Sequence, residues 1–134
     1  MIDTSTPYAL KKTVASDFAA TEQAIRAALA EQGFGILTEI DVSATLKKKL
    51  DVDTPRTLIL GACNPKLAHR ALGAVPDVSV FLPCNVVVRE NADGQVEIAA
   101  LDPIAMGEVI RNPELSLVAA EARQRIMTAL NAVA

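Results

Sequence analysis

The residues with the most distinctive chemistry in this chain are two cysteines and an aspartate that precedes a proline. Cys63 ends one apolar run, Cys84 begins another, and Asp102 follows a third. If the fold brings these three side chains together, the cluster could bind a soft metal, form a regulatory disulfide or supply a nucleophile. The favoured interpretation is simpler, because reduced cysteines are commonly buried as small hydrophobic side chains.

The spacing of these residues does not support a metal centre or a catalytic set. The cysteines lie 21 positions apart, and the chain has no Cys-x-x-Cys motif and only one histidine. That residue, His69, shares the outward face of a predicted helix with Lys66 and Arg70, so we expect it in solvent. We therefore expect no metal and no cofactor, with Cys63 and Cys84 as the only weak metal candidates.

Two other charged groups invite a chemical interpretation. Glu39 and Asp41 lie two apart on a predicted strand, and such a carboxylate pair could act as acid and base. The alternation of half-buried strands favours a solvated strand face instead. The three consecutive lysines at 47–49 spread over more than half a helical turn and converge on no site, so we interpret them as a solvated face as well.

The hydrophobic pattern predicts the elements that must position these groups. The predicted strands span 8–14, 35–42, 57–63, 82–90 and 95–101. The two clearest surface helices run from Ser16 to Gly33 and over the last 20 or so residues from Pro113, where one apolar stripe is continuous. A further helix from Pro65 to Gly73 should turn Leu67, Ala68, Ala71 and Leu72 inward, and short helices are expected at 43–50 and 103–110. Residues 43–50 could equally form a mobile flap.

Helix caps account for several of the polar residues near these ends. Ser16 is the expected N-cap of the first helix. An Asn or Asp precedes proline at three predicted helix starts, namely Asn64, Asp102 and Asn112, which is the usual combination of N-cap and first helical residue. Repeated use of one device favours an architectural role for these residues.

The segment 82–101 is predicted to form a hairpin around Gly94. With Gly94 in the left-handed bulge position, Val88 lies opposite Ile98 and Arg89 opposite Glu97. The same register places Asp102 opposite Cys84. If the sheet runs as a meander through the strand that ends at Cys63, the two thiols approach each other, whereas a crossover connection would separate them.

These elements favour an α+β sandwich, with a largely antiparallel sheet covered on one face by helices. The other face carries Val87, Ala99 and Leu101, and such a face is seldom left fully solvated. We therefore expect a homodimer, formed across the sheet or along one of its edges.

Composition excludes several classes of protein. The chain has 134 residues, of which 51% are hydrophobic and 3% aromatic, and a formal net charge of −3. It lacks both the basic surface and the aromatic platform that nucleic acids need, and it has no apolar run of membrane-spanning length. The start of the chain does not resemble a signal peptide. We expect one cytoplasmic domain over 1–134, with 1–7 as a loose tail and neither nucleic acid nor membrane as partner.

The ordered set of motifs in this chain resembles the bacterial domain of unknown function 302 family. The resemblance covers most of the chain and is carried by Gly33-Phe34, Leu60-Gly61-Ala62-Cys63-Asn64-Pro65, Leu82-Pro83-Cys84-Asn85-Val86-Val87-Val88, Asp93-Gly94 and Asp102-Pro103. It implies a TATA-binding-protein-like α+β fold with two main helices, commonly a homodimer, in which Cys63 and Cys84 belong to a meander. It brings no established reaction. Asn85 stands where members of the family often carry arginine, so an anion-binding role does not transfer to this position.

The leading functional prediction is a non-enzymatic homodimer that binds a small molecule or a partner at one end of the sheet. The candidate binding residues are Cys63, Asn64, Cys84, Asn85 and Asp102. The alternative is a thiol-dependent redox, transfer or soft-metal-handling protein that uses the two cysteines. A scaffold without any ligand is the third possibility.

Overall fold

The computed structural model describes all residues, 1–134, and contains one five-stranded sheet, five α-helices and one 3-10 helix. The strands are β1 (Ala9–Val14), β2 (Gly35–Asp41), β3 (Thr57–Cys63), β4 (Cys84–Glu90) and β5 (Val96–Leu101). The helices are α1 (Phe18–Glu31), α2 (Val42–Leu50), α3 (Pro65–Ala74), α4 (Ile104–Val109) and α5 (Pro113–Asn131), and the 3-10 helix spans Pro76–Phe81. All five predicted strands are present, α2 is a helix and not a flap, and the 3-10 helix was not predicted.

The strand order is β1-β5-β4-β3-β2, and every neighbouring pair is antiparallel. β3, β4 and β5 form a meander, β1 lies beyond β5, and β2 lies beyond β3. The predicted α+β class with an antiparallel sheet is confirmed, and the arrangement is compatible with a TATA-binding-protein-like fold.

The β4–β5 hairpin has the predicted register. Val88 pairs with Ile98 and Arg89 with Glu97. Gly94 has a φ of 75°, in the left-handed region, and the amide of Asn91 donates to the Gln95 carbonyl at 2.8 Å. A glycine is required at this turn because other residues seldom adopt a positive φ.

One face of the sheet, called here the covered face, packs against helices. Its side chains on the central strands include Leu60, Val86, Val88 and Ile98, all at most 1% exposed. With α1 and α5 they form a core of 19 buried residues, and a second cluster of eight lies among α3, the 3-10 helix, α4 and α5. Because burying a Val or Ile side chain contributes about 1.5–3 kcal/mol, this face supplies most of the stability.

The predicted start of α1 is wrong by one residue. Asp17 and not Ser16 is the N-cap, because its carboxylate accepts the Ala20 amide at 2.8 Å. The Ser16 hydroxyl instead donates to the carbonyl of the last residue, Ala134. A carboxylate at this position also interacts favourably with the positive end of the helix dipole.

The buried stripe of α3 is narrower than predicted. Leu67 and Ala71 are buried one turn apart, whereas Leu72 is 38% exposed. α3 contacts the molecule along one line against α5 and the 3-10 helix, so the residue after Ala71 already points away from the core.

Both ends of the chain are attached to β1. Lys12 donates from Nζ to the carbonyls of Leu130 and Val133, at the C-terminal end of α5. A cation there interacts favourably with the carbonyls at the negative end of the helix dipole. Within the segment 1–7, predicted as a loose tail, Asp3 makes a two-bond antiparallel bridge to Lys11.

None of the helices combines the length and the apolar character that a membrane crossing requires.

Candidate functional site

The five candidate residues lie at one end of the sheet, where β3 ends, β4 begins and β5 ends. The structure distributes them over different environments. Cys84, Asn64 and Asp102 are buried, Cys63 is half-buried and Asn85 is exposed. Each must therefore be considered by its own contacts.

The two cysteines lie on adjacent antiparallel strands, which confirms the meander. Ala62 pairs directly with Cys84, and Cys63 is the next residue along β3. Both thiols are free, and both line a cavity of about 40 Å³ beneath α3 and α4. All but one of the 15 residues around this cavity are hydrophobic, so it forms part of the second core cluster and has little to hold a water molecule.

Cys84 is in an environment that disfavours the thiolate. Burial, with a smaller contribution from the charge of Cys63, raises the pKa of the Cys84 thiol to about 11. At neutral pH this side chain is a neutral thiol packed among apolar groups. Since the thiolate is the nucleophile and the metal ligand, Cys84 is suited to neither role.

Asp102 has a structural role in this fold. Its carboxylate accepts the amide of Ile104 at 3.1 Å and Arg123 Nε at 3.2 Å, so it orders the turn before α4 and ties that turn to α5. The Asp102 side chain is only 9% exposed, and Arg123 provides the charge that compensates its burial. The predicted N-cap position is wrong by one residue, since Pro103 and not Asp102 is the N-cap of α4, but the Asp102 carboxylate is already occupied.

Asn64 likewise uses its whole amide group within the chain. Its Oδ1 accepts the Leu67 amide at 3.3 Å, which makes it the predicted N-cap of α3. Its Nδ2 donates to the Gln32 carbonyl at 3.2 Å, at the C-terminal end of α1. Asn64 thus joins the ends of two helices and leaves no polar atom for a ligand.

Asn85 differs from the other four residues because its amide makes no hydrogen bond within the chain and faces solvent. It lies on the uncovered face of the sheet, defined by the side chains that alternate with the core residues and carry no helix. Asn85 lines a cleft of about 240 Å³ on this face. The other residues around the cleft are Tyr8, Ala9, Pro83, Val87, Ala99, Ala100 and Leu101.

Beside this cleft, side chains from two neighbouring segments pack closely over the backbone of Gly61 on the uncovered face. Gly61 pairs with Asn85 on one side and with Thr38 on the other. A Cβ added at Gly61 would come 2.1 Å from Thr38 Oγ1 and 2.9 Å from Pro83 Cγ. Only glycine therefore allows the Thr38 and Pro83 side chains to cover this point of the sheet.

Tyr8 and Pro83 belong to this cleft although the sequence did not single them out. Tyr8 precedes β1, and its carbonyl accepts the Asp102 amide at 2.9 Å, which fixes it beside Leu101 at the end of β5. The one available signal was that Tyr8 is the only tyrosine of the chain. Its position beside Asn85 depends on strand order, which local patterns do not encode.

A larger, polar cleft of about 550 Å³ lies near Asn64, between the end of α1 and the start of α3. Its two arginines are already paired. Arg70 contacts Glu114 and Glu121, and Arg125 contacts Glu121 and the Gln32 carbonyl. Because the glutamates neutralise both arginines, Lys66 is the one unpaired cation lining the cleft, and a single exposed lysine does not make a concentrated positive charge.

The remaining charged candidates also have structural partners or face solvent. Glu39 accepts from Arg26 at 2.8 Å, and Asp41 caps α2 by accepting the Ala44 amide at 2.9 Å. Hydrogen bonds from Ala44 and Ser43 lower the pKa of Asp41. His69 is exposed, as predicted. No group of three or more His, Cys, Asp or Glu side chains converges in a geometry that could hold a metal ion.

The whole fold matches a solved structure. The crystal structure of the uncharacterized conserved protein DUF302 from Bacillus stearothermophilus superposes with a TM-score of 0.89 at 27% sequence identity. The match covers 96% of this chain and 100% of the other. No curated protein matches the chain.

A family model, described as a domain of unknown function, matches residues 10–133, which include every strand and helix except the first residue of β1. That span includes both cysteines, Asn85 and the close approach at Gly61. The resemblance suggested by the sequence motifs is therefore confirmed. This chain belongs to the DUF302 family.

Proposed function

We propose that this protein is a non-enzymatic binding domain, active as a homodimer, which takes a small organic molecule in the cleft beside Asn85. The observation that carries the proposal is the composition of that cleft. Six of its eight lining residues are hydrophobic, and it adjoins one uncommitted amide, that of Asn85. A largely apolar concavity with few polar groups is the usual form of a small-molecule site.

The volume and chemistry of the cleft narrow the ligand class. About 240 Å³ is below the range of clefts that hold drug-sized molecules, so a single ring or a short aliphatic chain suits it. The Asn85 amide both donates and accepts hydrogen bonds. We therefore expect an apolar body that carries one amide or carboxyl group.

The two other concavities at this end of the sheet support binding less well. The cavity beneath α3 has about 40 Å³, too little for an organic molecule without rearrangement of the helices. The polar cleft near Asn64 is lined by arginines that their glutamate partners already neutralise.

The chemistry of the thiols does not favour the alternative function. The raised pKa of Cys84 opposes a redox or transfer role, and no carboxylate or imidazole joins the cysteines in a metal-binding group. Because both thiols are free, the proposal includes a cytoplasmic location, in which cysteines stay reduced.

Ligand-observed NMR with benzamide, benzoate and hexanoate as probes tests the cleft. We expect at least one probe to bind, and protein-observed spectra of the ¹⁵N-labelled chain should then show shifts centred on the amides of Asn85, Val87 and Leu101. Asn85→Ala should weaken that probe up to about tenfold, because one hydrogen bond is lost. Thr13→Ala, a polar-to-alanine change on the same face away from the cleft, serves as the control.

Two results would count against the proposed site. One is the absence of binding by all three probes, and the other is equal weakening by Asn85→Ala and Thr13→Ala. Either result would remove the cleft as the binding site and leave the dimer to be tested separately.

A further inference from the structure

The segment 35–56, which contains β2 and α2, has no buried residue. Every other strand and helix contributes at least one. The segment nevertheless has regular structure, with β2 paired to β3 along its length apart from one irregularity between Ile36 and Thr38. Its order therefore depends little on burial within the chain.

A helix such as α2 needs a packing surface. It has nine residues, and isolated helices shorter than about 12–15 residues are marginal in water. Within this chain α2 is held by its Asp41 cap and by the Thr57 amide, which donates to Ser43 Oγ at 3.4 Å. These polar contacts bury no side chain fully, and Val42 and Leu46 are only half-buried, so α2 has less apolar packing than so short a helix normally needs.

The same segment exposes large hydrophobic side chains. Leu37 is 67% exposed, Ile40 49%, Leu50 65% and Val52 42%. They account for four of the 11 large hydrophobic residues that the whole chain exposes. Apolar residues concentrated on otherwise unburied elements mark an interaction surface.

The two edge strands of the sheet differ in whether their outer side is paired. At the β1 edge, Asp3 makes a backbone bridge to Lys11. At the other edge, β2 pairs only with β3, and its outer side has no neighbour. An unpaired strand edge is a template for pairing with another chain.

We propose that the segment 35–56 is the interface of the homodimer, with β2 of one copy paired antiparallel to β2 of a second copy across a twofold axis. The two sheets would then form one continuous sheet, and α2 would pack at the junction. This inference rests on the homodimer in the proposed function and specifies its surface.

The distribution of charge favours a second copy as the occupant. The segment has four acidic and four basic residues, so it offers no net charge to a strongly charged partner but can complement itself. A twofold axis brings the Asp41 end of one β2 beside the Gly35 end of the other. At the Asp41 end the chain continues into α2, which has three lysines in its last turn. The Gly35 end follows α1, whose last turn has Glu31 and no basic residue.

These opposing charges have little compensation within one chain. Lys48, Lys49 and Glu31 make no salt bridge, whereas Lys47 contacts Asp51 and Asp53. The carbonyl end of α1 already accepts from Asn64 and Arg125, so the favourable contact across the twofold axis is that of Lys48 or Lys49 with Glu31 of the second copy, at both symmetry-related positions.

Sedimentation velocity of the full chain, with single Leu37→Lys and Leu50→Lys variants, tests the interface. We expect a dimer for the wild type and at least tenfold weaker dimerisation for each variant. Val109→Lys is the control, since Val109 is 71% exposed on α4, outside the segment. It should leave the dimer unchanged. Circular dichroism checks that each variant is folded.

Hydrogen exchange of the wild-type chain provides a test without mutation. Amides within 35–41 should exchange more slowly as protein concentration rises, while those of α4, which lies outside the segment, should not. A wild-type chain that stays monomeric would overturn both the homodimer and its interface. A dimer that resists both lysine variants, with no concentration-dependent protection in β2, would overturn the interface alone.

Discussion

The two faces of the one sheet differ in what they hold. On the covered face the side chains of β4 that alternate with Asn85, Val87 and Arg89 are buried, and the polar groups beneath the helices have partners in all but one case, the Thr21 hydroxyl. On the uncovered face Val87 is half-buried without a helix above it, and the Asn85 amide has no partner. Adjacent residues of β4 therefore differ in role: one contributes to the core and the next faces the uncovered side of the sheet.

Because successive side chains of a strand point to opposite faces, the residues that stabilise the fold and those free to bind a ligand lie on opposite faces of the sheet. The covered face supplies the apolar burial that folds the chain. The uncovered face retains the groups that folding does not use, which are the ones available to a ligand. Because the side-chain period of a strand is two, neighbouring residues of the same type provide matched tests.

The largest effect is expected from the adjacent valines of β4. Val88→Ala should reduce the free energy of unfolding by about 2–3 kcal/mol, because a fully buried side chain is replaced by a cavity. Val87→Ala, its matched control on the uncovered face, should lose less than about 1 kcal/mol. Urea denaturation measures both. Equal losses would mean that the uncovered face is also part of the stabilising core.

Gly61→Ala tests the one place where the uncovered face is tightly packed. Its Cβ would lie 2.1 Å from Thr38 Oγ1, so we expect a loss of about 1–3 kcal/mol in the free energy of unfolding. Gly73→Ala in α3 is the control, since nothing lies within 4 Å of its Cβ and helix propensity favours alanine by up to about 1 kcal/mol. Stabilisation by both substitutions would contradict the close approach at Gly61.

The adjacent lysines of β1 give a smaller contrast. Lys12→Met should cost about 1–2 kcal/mol, because two carbonyls at the end of α5 lose a charged donor. Lys11→Met, on the uncovered face, should change stability by less than about 0.5 kcal/mol, since no hydrogen bond from the Lys11 side chain is present. Thermal unfolding at fixed pH compares them. An equal effect of the two substitutions would exclude the capping role of Lys12.

The smallest effect at neutral pH concerns Cys84. Its folded-state pKa of about 11 lies above the ordinary value of 9.0, so the stability linked to this thiol is complete below pH 9 and is lost as the pH rises towards and through about 11. In a Cys63→Ala background, iodoacetamide at pH 8 should alkylate Cys84 at least about tenfold more slowly in the folded protein than in urea. Similar rates in the two states would show that Cys84 is accessible and ionised at the sheet end.

Local signals in the sequence were sufficient for much of this structure. The turn at Gly94 determined the register of β4 and β5, and the Asn64-Pro65 pair located the start of α3. Such signals are reliable because their physics involves only a few neighbouring residues. The same logic was wrong where two neighbours could serve, as at Ser16 and Asp17, because both are good caps and local pattern does not choose between them.

The candidate site was predicted less well than the fold. Five polar or soft residues were correctly placed at one end of the sheet, but Asn64, Cys84 and Asp102 are committed to a cap, to packing and to a turn. Tyr8 was missed, because its place beside Asn85 follows from β1 pairing with β5 across most of the chain. The exposure of Glu39, Asp41 and the lysines at 47–49 was expected, whereas that of the apolar side chains of β2 and α2 was not.

By itself, the sequence determined the elements, the hairpin register, the α+β class and the family, because each depends on short-range periodicity, turn chemistry or an ordered set of motifs. Only the tertiary structure decided which polar groups remain free. Whether an amide or a thiol is available depends on the partners that distant segments bring to it. Those partners left Asn85 unpaired on the uncovered face and made the thiol of Cys84 part of the core.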